Sequence, residues 1–451
     1  MRSLPPDRRL RTRYLSLYAV PEKDRETWAR LLSYHCNALS RESDLVPPAA
    51  VPGTAGQLLR IDLSDYGWEP KVWDKLIDPA FHVTVEQKVS EPWAGGVWPG
   101  DGRHYAAGSF QVERKVKQPA LAPWLDPQQA AALAELTQSK APVIRGEWFL
   151  WQTAIQSDRS PGYYDFLGIK DKKSFDDLVG FDAKLAAKAK RLELLEAVAH
   201  SAVTLQPRRI GAFPAISGWY MQTFDSRTAT DDHNPLRILN GGFKFDAQEV
   251  FGHLPNGLPV WGLFDNQGQR QDAAPDFIAS DSTAHGTDRR VHVGLSCVRC
   301  HAPNGIINPV DGWARNLFQG ELKLQSPDYE KLKELRQKYL RDIEGPLDDA
   351  RRTYSRAILQ ATGTKPAELG AAYGQAFAAY DSPVSLERAA RVVGLTPDEF
   401  TKRLRAYLQR TGTIDTVAAA FLGARRGGIG IVQFHEAFSP IMLAVRGLQP
   451  P

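Results

Sequence analysis

Residues 249–264 read EVFGHLPNGLPVWGLF, and this stretch decides the fold of the middle of the chain. Two apolar runs flank Pro255-Asn256-Gly257, a turn sequence of the kind that joins antiparallel strands. A second turn signal lies at 265–268, and residues 217–224 have the pattern of another strand. The sequence therefore predicts a β-hairpin-rich region over residues 206–290.

The regions on either side of this segment have different patterns. Residues 1–205 mix helical and strand patterns, whereas residues 291–451, which follow the hairpin region, are mainly helical. We therefore predict an α+β fold with three regions, 1–205, 206–290 and 291–451. Strands are predicted at 57–63 and 143–151, a surface loop at 93–102, and helices at 24–40, 128–136, 182–200, 326–341, 348–360, 366–380, 385–393, 397–409 and 435–445.

Two of the three cysteines in the chain stand in one short motif. Residues 297–301 read Cys-Val-Arg-Cys-His, which is the C-x-x-C-H pattern of covalent haem attachment. Thiols at this spacing lie on one side of a helical turn, so Cys297 and Cys300 can form thioethers to one porphyrin while His301 binds the iron. The motif therefore predicts one haem c with His301 as the proximal ligand.

Three other interpretations of the motif remain open. A redox-active dithiol requires a strand-to-helix start, and residues 292–295 before the motif are short and interrupted by glycine. A zinc site would need the third cysteine, Cys36, which lies far upstream without a second paired ligand. The cysteines could also simply pack in a core. The single copy of the motif excludes a multihaem chain.

The sixth position of the iron distinguishes the functions that this motif permits. A second axial ligand favours electron transfer, whereas an open site permits chemistry on peroxide or oxygen. The distal candidates are Met221, in a predicted strand, Met442 and His435, in the last predicted helix, and two further histidines, His253 on the hairpin and His285 in the loop before the motif. A tyrosine, a lysine or no protein ligand at all is equally open. Aromatic residues near the hairpin, Trp219, Tyr220 and Trp261, are candidates for a haem-pocket wall or for an ordinary sheet core.

The motif and the hairpin together resemble bacterial proteins. Residues 297–301 are similar to the attachment site of c-type cytochromes. A wider block resembles a group of bacterial exported monohaem proteins, and the resemblance implies haem and export. That block comprises Leu254-Pro255-Asn256-Gly257-Leu258, Arg270, Asp272, Pro275, Ile278, Asp281 and Gly294-Leu295-Ser296-Cys297, and the likeness extends to Gly218-Trp219-Tyr220 and Tyr164-Asp165-Phe166-Leu167-Gly168.

The charge of the chain is concentrated at its start. The formal net charge of +4 comes from 56 basic and 52 acidic residues, and five arginines lie within the first twenty positions. The rest of the chain is neutral, which argues against a nucleic-acid-binding face. We expect the arginine-rich start to be a solvated arm, with contact to a partner or an anionic membrane surface as the alternative. No apolar run is long enough for a membrane-spanning helix.

These observations predict an extracytoplasmic monohaem protein that passes electrons. Covalent haem attachment takes place outside the bacterial cytoplasm, so a periplasmic location is expected, although the first residues show no apolar leader region. The large non-haem portion suggests docking to a redox partner or a membrane-associated complex. The alternatives are a peroxidase-like monohaem oxidoreductase with an open distal site and a haem-bearing structural subunit.

Overall fold

A computed structural model describes most of the chain. The described residues are 4–76, 78, 82–93, 95–97, 103–105, 107–119, 127–157, 160–184, 194–198, 204–233, 243–281, 289–301, 344–411, 421–422 and 428–446.

The secondary structure confirms the predicted α+β fold class. The described strands are β1 (Thr12–Ser16), β2 (Ala49–Ala50), β3 (Leu58–Asp62), β4 (His82–Trp93), β5 (Gly96–Val97), β6 (His104–Tyr105), β7 (Gly108–Pro119), β8 (Val143–Arg145), β9 (Leu194–Val198), β10 (Arg208–Ala215), β11 (Gly218–Phe224), β12 (Ala247–His253) and β13 (Pro259–Asp265). The described α-helices are α1 (Pro6–Arg11), α2 (Arg25–Ala38), α3 (Pro70–Trp73), α4 (Pro127–Thr137), α5 (Gly146–Thr153), α6 (Tyr163–Leu167), α7 (Lys172–Val179), α8 (Leu295–His301), α9 (Glu344–Thr362), α10 (Pro366–Asp381), α11 (Leu386–Val392), α12 (Pro397–Thr411), α13 (Ile431–Glu436) and α14 (Phe438–Arg446).

The chain divides into two compact units. Unit 1 contains residues 77–145 and 381–451 together with residue 1, and unit 2 contains residues 2–76 and 146–380. Unit 2 contains residues from all three regions that the sequence predicts. Those three regions remain a prediction from sequence pattern. In the part of the chain that the structure describes, no helix is both long and apolar enough to cross a membrane.

The amino-terminal part of unit 2 is a small antiparallel sheet covered by a helix. Strand β1 pairs with β3, with Leu15 opposite Leu59, and β3 also pairs with β2. Helix α2 buries its second half, including Leu31 and Leu32, and confirms the predicted helix at 24–40. The predicted strand at 57–63 is likewise confirmed as β3.

The described part of the arginine-rich start, from residue 4, contacts this sheet and is not a free arm, although helix α1 buries none of its residues. Arg8 and Arg11 contact the Asp62 carboxylate, with the closer Nε–Oδ1 distance, from Arg11, at 3.2 Å. Arg13 is fully buried, donates to the Leu10 carbonyl at 2.8 Å and lies 3.4 Å from Asp74. The expectation of an arm was therefore wrong, because a carboxylate and backbone carbonyls of the same unit bind these guanidinium groups.

The predicted strand at 143–151 was wrong over most of its length. Only β8 is extended, and the chain then turns into α5. Gly146 marks the change, because a Cβ there would lie 2.6 Å from Leu32 Cδ1. The aromatic residues Trp148 and Phe149 are buried as expected, but they are buried from a helix.

The main sheet of unit 2 has the strand order β13-β12-β11-β10-β9, and its neighbours are antiparallel. The hairpin predicted at 249–264 is confirmed as β12 and β13, and 217–224 is confirmed as β11. The predicted helix at 182–200 was wrong at its end, because Leu194 pairs with Ala212 of β10 and makes this segment an edge strand. Cross-strand hydrogen bonds there outweigh the helical spacing of the leucines.

Helices follow the C-x-x-C-H motif in both units. In unit 2, α9 packs against α2 and β11, and α10 follows it, so the predictions for 348–360 and 366–380 are confirmed. In unit 1, α11 and α12 confirm 385–393 and 397–409. The predicted helix at 326–341 lies outside the described residues.

The remaining elements of unit 1 are strands and short helices. Strands β4 and β7 form a long antiparallel ribbon, and β5 pairs with β6, which places two short strands within or next to the predicted loop at 93–102. Helix α4 confirms the prediction at 128–136. The helix predicted at 435–445 is two helices, α13 and α14, separated at Ala437.

Candidate haem-attachment site

A glycine turn fixes the start of the motif helix α8. Gly294 has a φ of 78°, and a Cβ there would lie 2.6 Å from the Ala154 carbonyl oxygen and 2.8 Å from the Tyr163 ring. The Ser296 hydroxyl accepts from the backbone N–H of His292 at 3.1 Å, and the Ser296 N–H donates to the His292 carbonyl. These two hydrogen bonds close the turn. Together with the crowding at Gly294 they fix the position at which α8 begins.

An ion pair holds the middle of the motif. Arg299, between the two motif cysteines, donates to the carboxylate of Asp281, which is buried. The Asp281 N–H in turn donates to the Arg289 carbonyl at 2.7 Å. The contact ties α8 to the loop before it and leaves Cys297, Cys300 and His301 as the chemically distinctive residues of the helix.

One face of the main sheet supports the motif. Ala212 pairs with Met221, Met221 with Phe251, and Phe251 with Trp261, so these four side chains form one row across four strands. Cys297 packs in the same buried cluster. Two residues of α9, Leu347 and Ala350, complete the cluster, and Trp219 packs at its side. We call this surface the motif face.

The end of the motif stacks on the last residue of that row. The His301 and Trp261 rings lie 4.4 Å apart with an interplanar angle of 27°. The backbone N–H of Trp261 donates to the Tyr163 hydroxyl oxygen at 3.0 Å, which fixes the strand at this point. An imidazole binds metal in the plane of its ring, so stacking through the ring face holds His301 in place while leaving its nitrogens directed sideways.

Two polar atoms of the motif face have no hydrogen-bond partner among the described residues. They are Nε1 of Trp261 and Nε2 of His253, and both residues are buried. An unsatisfied buried donor or acceptor costs about 1–3 kcal/mol. A haem has propionate oxygens that accept hydrogen bonds and an iron that accepts a nitrogen lone pair. The residues present beside the motif therefore fit a haem.

The electrostatics of Cys297 differ from those of a reactive dithiol. Burial raises the pKa of Cys297 well above its ordinary value, and the nearby Glu249 carboxylate raises it further. Cys297 and Cys300 do not form a disulfide in the structure, and Cys300 is half-buried. A nucleophilic cysteine needs a lowered pKa, so this site does not resemble a thiol–disulfide centre.

A charged network lies farther along the motif face. Arg208 donates to Asp225 through Nε and Nη2, both at 2.8 Å, and to Glu249 at 3.1 Å. Burial lowers the pKa of Arg208, but the two carboxylates more than offset it and the net direction is upward. Arg208 is therefore a permanent cation whose charge the protein itself balances.

The three distal candidates from the sequence lie in different units. Met221 is in unit 2 and packs in the cluster with Cys297. Met442, on α14, and His435, on α13, belong to unit 1. His435 Nε2 lies 3.4 Å from Arg145 Nη2, and burial, with Arg145 and Arg388, lowers the pKa of His435 to about 3. Of these three candidates, only Met221 belongs to the same unit as the motif.

The aromatic candidates divide between the two sides of the sheet. Trp219 and Trp261 lie on the motif face, whereas Tyr220 points to the other side and stacks on Phe181 at 4.0 Å. Tyr220 therefore belongs to a sheet core and not to the motif. The candidate His285 and the residues directly after His301 lie outside the described residues.

The surroundings of the third cysteine, Cys36, do not indicate a metal ligand. Cys36 is fully buried on α2, and burial raises its pKa above the ordinary value. The neighbouring His35 has Nε2 2.7 Å from the Thr153 hydroxyl, and burial lowers its pKa to about 3. Within the described ranges no three His, Cys, Asp or Glu side chains converge on a possible metal position, which leaves the zinc interpretation without support there.

Sequence reasoning did not favour His253 over the other histidines. The sequence gives His253 as one of three candidate histidines, on the hairpin, and the unpartnered nitrogen becomes visible only in the packed structure. Comparison with family models, with curated proteins and with solved structures found no match to this chain.

Proposed function

We propose that this chain is an extracytoplasmic monohaem c-type cytochrome that transfers electrons to or from a partner. The haem is attached through Cys297 and Cys300, and His301 is its proximal ligand. The observation that supports this most is the position of the complete C-x-x-C-H motif on one short helix. That helix packs against an apolar sheet face on which the indole Nε1–H of Trp261 has no partner among the described residues.

Each motif residue has a distinct task in this proposal. Cys297, in the buried cluster, and Cys300, at the half-buried end, tether two edges of the porphyrin. The Trp261 ring holds the His301 imidazole through its face, and the Trp261 N–H is available to an oxygen of the bound group. When bound, a haem supplies one-electron redox chemistry at its iron.

The surroundings favour transfer to a partner over thiol chemistry. Burial raises the pKa of Cys297, which argues against a nucleophilic thiolate at this position. Cys300 and His301 are half-exposed, so one edge of the site lies near the surface where a partner protein can approach. Periplasmic location and docking to a redox partner or a membrane-associated complex are part of this proposal.

The experiment is haem attachment in an exported chain. The chain is produced with an export leader in a bacterium that makes c-type cytochromes, and its mass is measured after denaturation. We expect the mass of one covalent haem in the wild type and in C36A, and its loss in the C297A/C300A double variant. An unmodified mass in exported wild type would overturn the proposal.

A further inference from the structure

We propose that Nε2 of His253 is the sixth ligand of the haem iron, opposite His301. This inference rests on the proposed function, because it assigns a residue to the same haem. It follows from three properties of His253: the state of its ring nitrogens, its place on the motif face, and the absence of another use for Nε2 among the described residues.

The ring nitrogens of His253 are arranged as in a metal-binding imidazole. Nδ1 lies 3.2 Å from the Gly257 carbonyl oxygen, which can only accept, so the proton is on Nδ1. Nε2 then carries the lone pair, and it is buried with no partner in the described structure. A ligand histidine typically donates its other N–H to a carbonyl in this way, which fixes both tautomer and ring orientation.

The protonation state agrees with this assignment. Burial lowers the pKa of His253 to about 4, and the contact with the Gly257 carbonyl opposes this shift only partly. The side chain is 1 % exposed, so the ring is neutral and shielded from solvent at pH 7. An iron ligand must be a neutral imidazole, and here no proton has to be removed first.

His253 lies on the same sheet face as the motif. It follows Phe251 by two positions on β12, and alternation along a strand places both side chains on one face. The Phe251 ring lies 5.1 Å from His253 and 4.8 Å from Trp261, which stacks on His301. The two imidazoles therefore border one stretch of the face, lined by flat aromatic side chains of the kind that pack on a porphyrin.

Residues of β11 and of the hairpin turn fix the orientation of the His253 ring. Gly218 of β11 approaches the ring so closely that a Cβ there would lie 3.1 Å from His253 Cδ2. The Gly257 carbonyl belongs to the Pro255-Asn256-Gly257 turn, and the Asn256 side chain fixes that turn by donating to the Asn37 carbonyl at 2.8 Å. The ring orientation is therefore set from both sides.

Neither Met221 nor His435, the other candidates considered on described residues, has a buried side-chain nitrogen or oxygen without a hydrogen-bond partner. Met221 is buried against Cys297, but a thioether in an apolar cluster needs no hydrogen-bond partner, so packing alone accounts for its position. His435 lies in unit 1 with its Nε2 beside Arg145. His253 is the residue whose buried nitrogen requires a further partner.

The experiment measures the ferric spectrum of the full haem-loaded chain. Low-temperature electron paramagnetic resonance and near-infrared magnetic circular dichroism distinguish bis-imidazole iron, imidazole–methionine iron and high-spin iron. We expect wild type to be low-spin without the methionine–iron charge-transfer band. In H253A we expect loss of the low-spin signal, binding of cyanide and recovery of the low-spin signal with added imidazole. The matched control M221L keeps the wild-type spectrum.

A second variant covers the case in which H253A is unstable. H253M retains a long side chain and should give a low-spin iron with a new methionine–iron band. A methionine band in wild type, lost in M221L, would overturn the proposal, as would a high-spin wild type or an H253A spectrum unchanged from wild type. Covalent haem with any of these results rejects His253 alone, whereas absence of covalent haem rejects the proposed function.

Discussion

The two faces of the main sheet use aromatic and polar side chains in different ways. On the face opposite the motif, the buried Tyr220 hydroxyl donates to Asp176 at 2.7 Å and accepts from Lys172 at 2.7 Å. Phe181 stacks on Tyr220, and Phe175 fills the space between Tyr220 and Phe264. On the motif face, Trp261 and His253 are buried to a similar degree, but each has one ring nitrogen without a partner in the described structure.

We call the face opposite the motif the finished core, because its buried hydroxyl has hydrogen-bond partners. The motif face has buried ring nitrogens for which a further group would have to supply the partner. The opposite face satisfies its aromatic hydroxyl with side chains of α7, so nothing else is needed there. The charged side chains of the motif face also have partners, because Arg208 donates to both Asp225 and Glu249. Its unpartnered nitrogens are confined to the residues around the motif, which is where a haem would supply an acceptor and a metal.

The largest effect that we expect is from truncating the finished core. Phe175 is fully buried, so Phe175→Ala should lower the free energy of unfolding by about 3–5 kcal/mol. The loss should be the same in haem-free and haem-loaded protein to within about 0.5 kcal/mol, because this face does not contact the motif. Urea unfolding of both forms measures it, and Lys173→Met, in an exposed ion pair, is the control. A loss that depends on haem would break the comparison between the faces.

The next effect is the pH dependence that His253 imposes on the haem-free protein. Its pKa is lowered from 6.5 to about 4 in the fold, so the unfolded state binds a proton first as the pH falls. Stability from this group is complete above pH 6.5 and decreases as the pH falls to about 4, by roughly 3 kcal/mol. Unfolding of wild type against H253Q across this range measures the difference.

The haem-loaded protein sharpens the same prediction. In the haem-free protein the difference between wild type and H253Q should level off below about pH 4, where the folded state also binds the proton. A metal-bound Nε2 cannot take up that proton in the fold while the unfolded state still does, so in the haem-loaded protein the difference should continue to decrease below this pH. Parallel stability curves for the two haem-free proteins would show instead that His253 reaches solvent and that its nitrogen is not shielded.

The elements set by local sequence were predictable. The Pro255-Asn256-Gly257 turn fixes the hairpin, and the capping of Glu399 N–H by the Thr396 hydroxyl at 3.2 Å starts α12 where the sequence indicated. The edge strand β9 was not predictable, because its leucines satisfy a helical period and only the pairing with β10 makes them extended. The same reason applies to Arg13, because the carboxylate of Asp74 comes close to its buried guanidinium group only in the tertiary fold.

For the proposed haem site, the sequence predicts only the covalent chemistry. Spacing alone predicts Cys297, Cys300 and His301 as its residues, because thioether and axial ligation require that order of side chains. An unsatisfied nitrogen cannot be read from a sequence, since it depends on which groups the fold fails to bring near it. His253 therefore looked like any other histidine of a hairpin until its neighbours were in place.

A smaller effect comes from the hydroxyl of the finished core. Tyr220→Phe keeps the ring and removes the hydrogen bonds to Asp176 and Lys172, so we expect a loss of about 1–2 kcal/mol in haem-free and haem-loaded protein alike. Thermal or urea unfolding measures it. The double variant with Asp176→Asn tests the pairing, because the two losses should be far from additive. Additive losses would mean that the hydroxyl is not satisfied by this carboxylate.

The smallest effect should come from the matching change on the motif face. In haem-free protein, Trp261→Phe removes ring volume, which costs roughly 1–3 kcal/mol, but it also removes a buried N–H without a partner, which returns a similar amount. The net change in unfolding free energy should be close to zero. In haem-loaded protein the same N–H has an acceptor, so the variant should lose stability there, as Tyr220→Phe does in both forms. Equal effects of Trp261→Phe with and without haem would show that Nε1 does not meet the bound group, and the two faces would then differ only in packing.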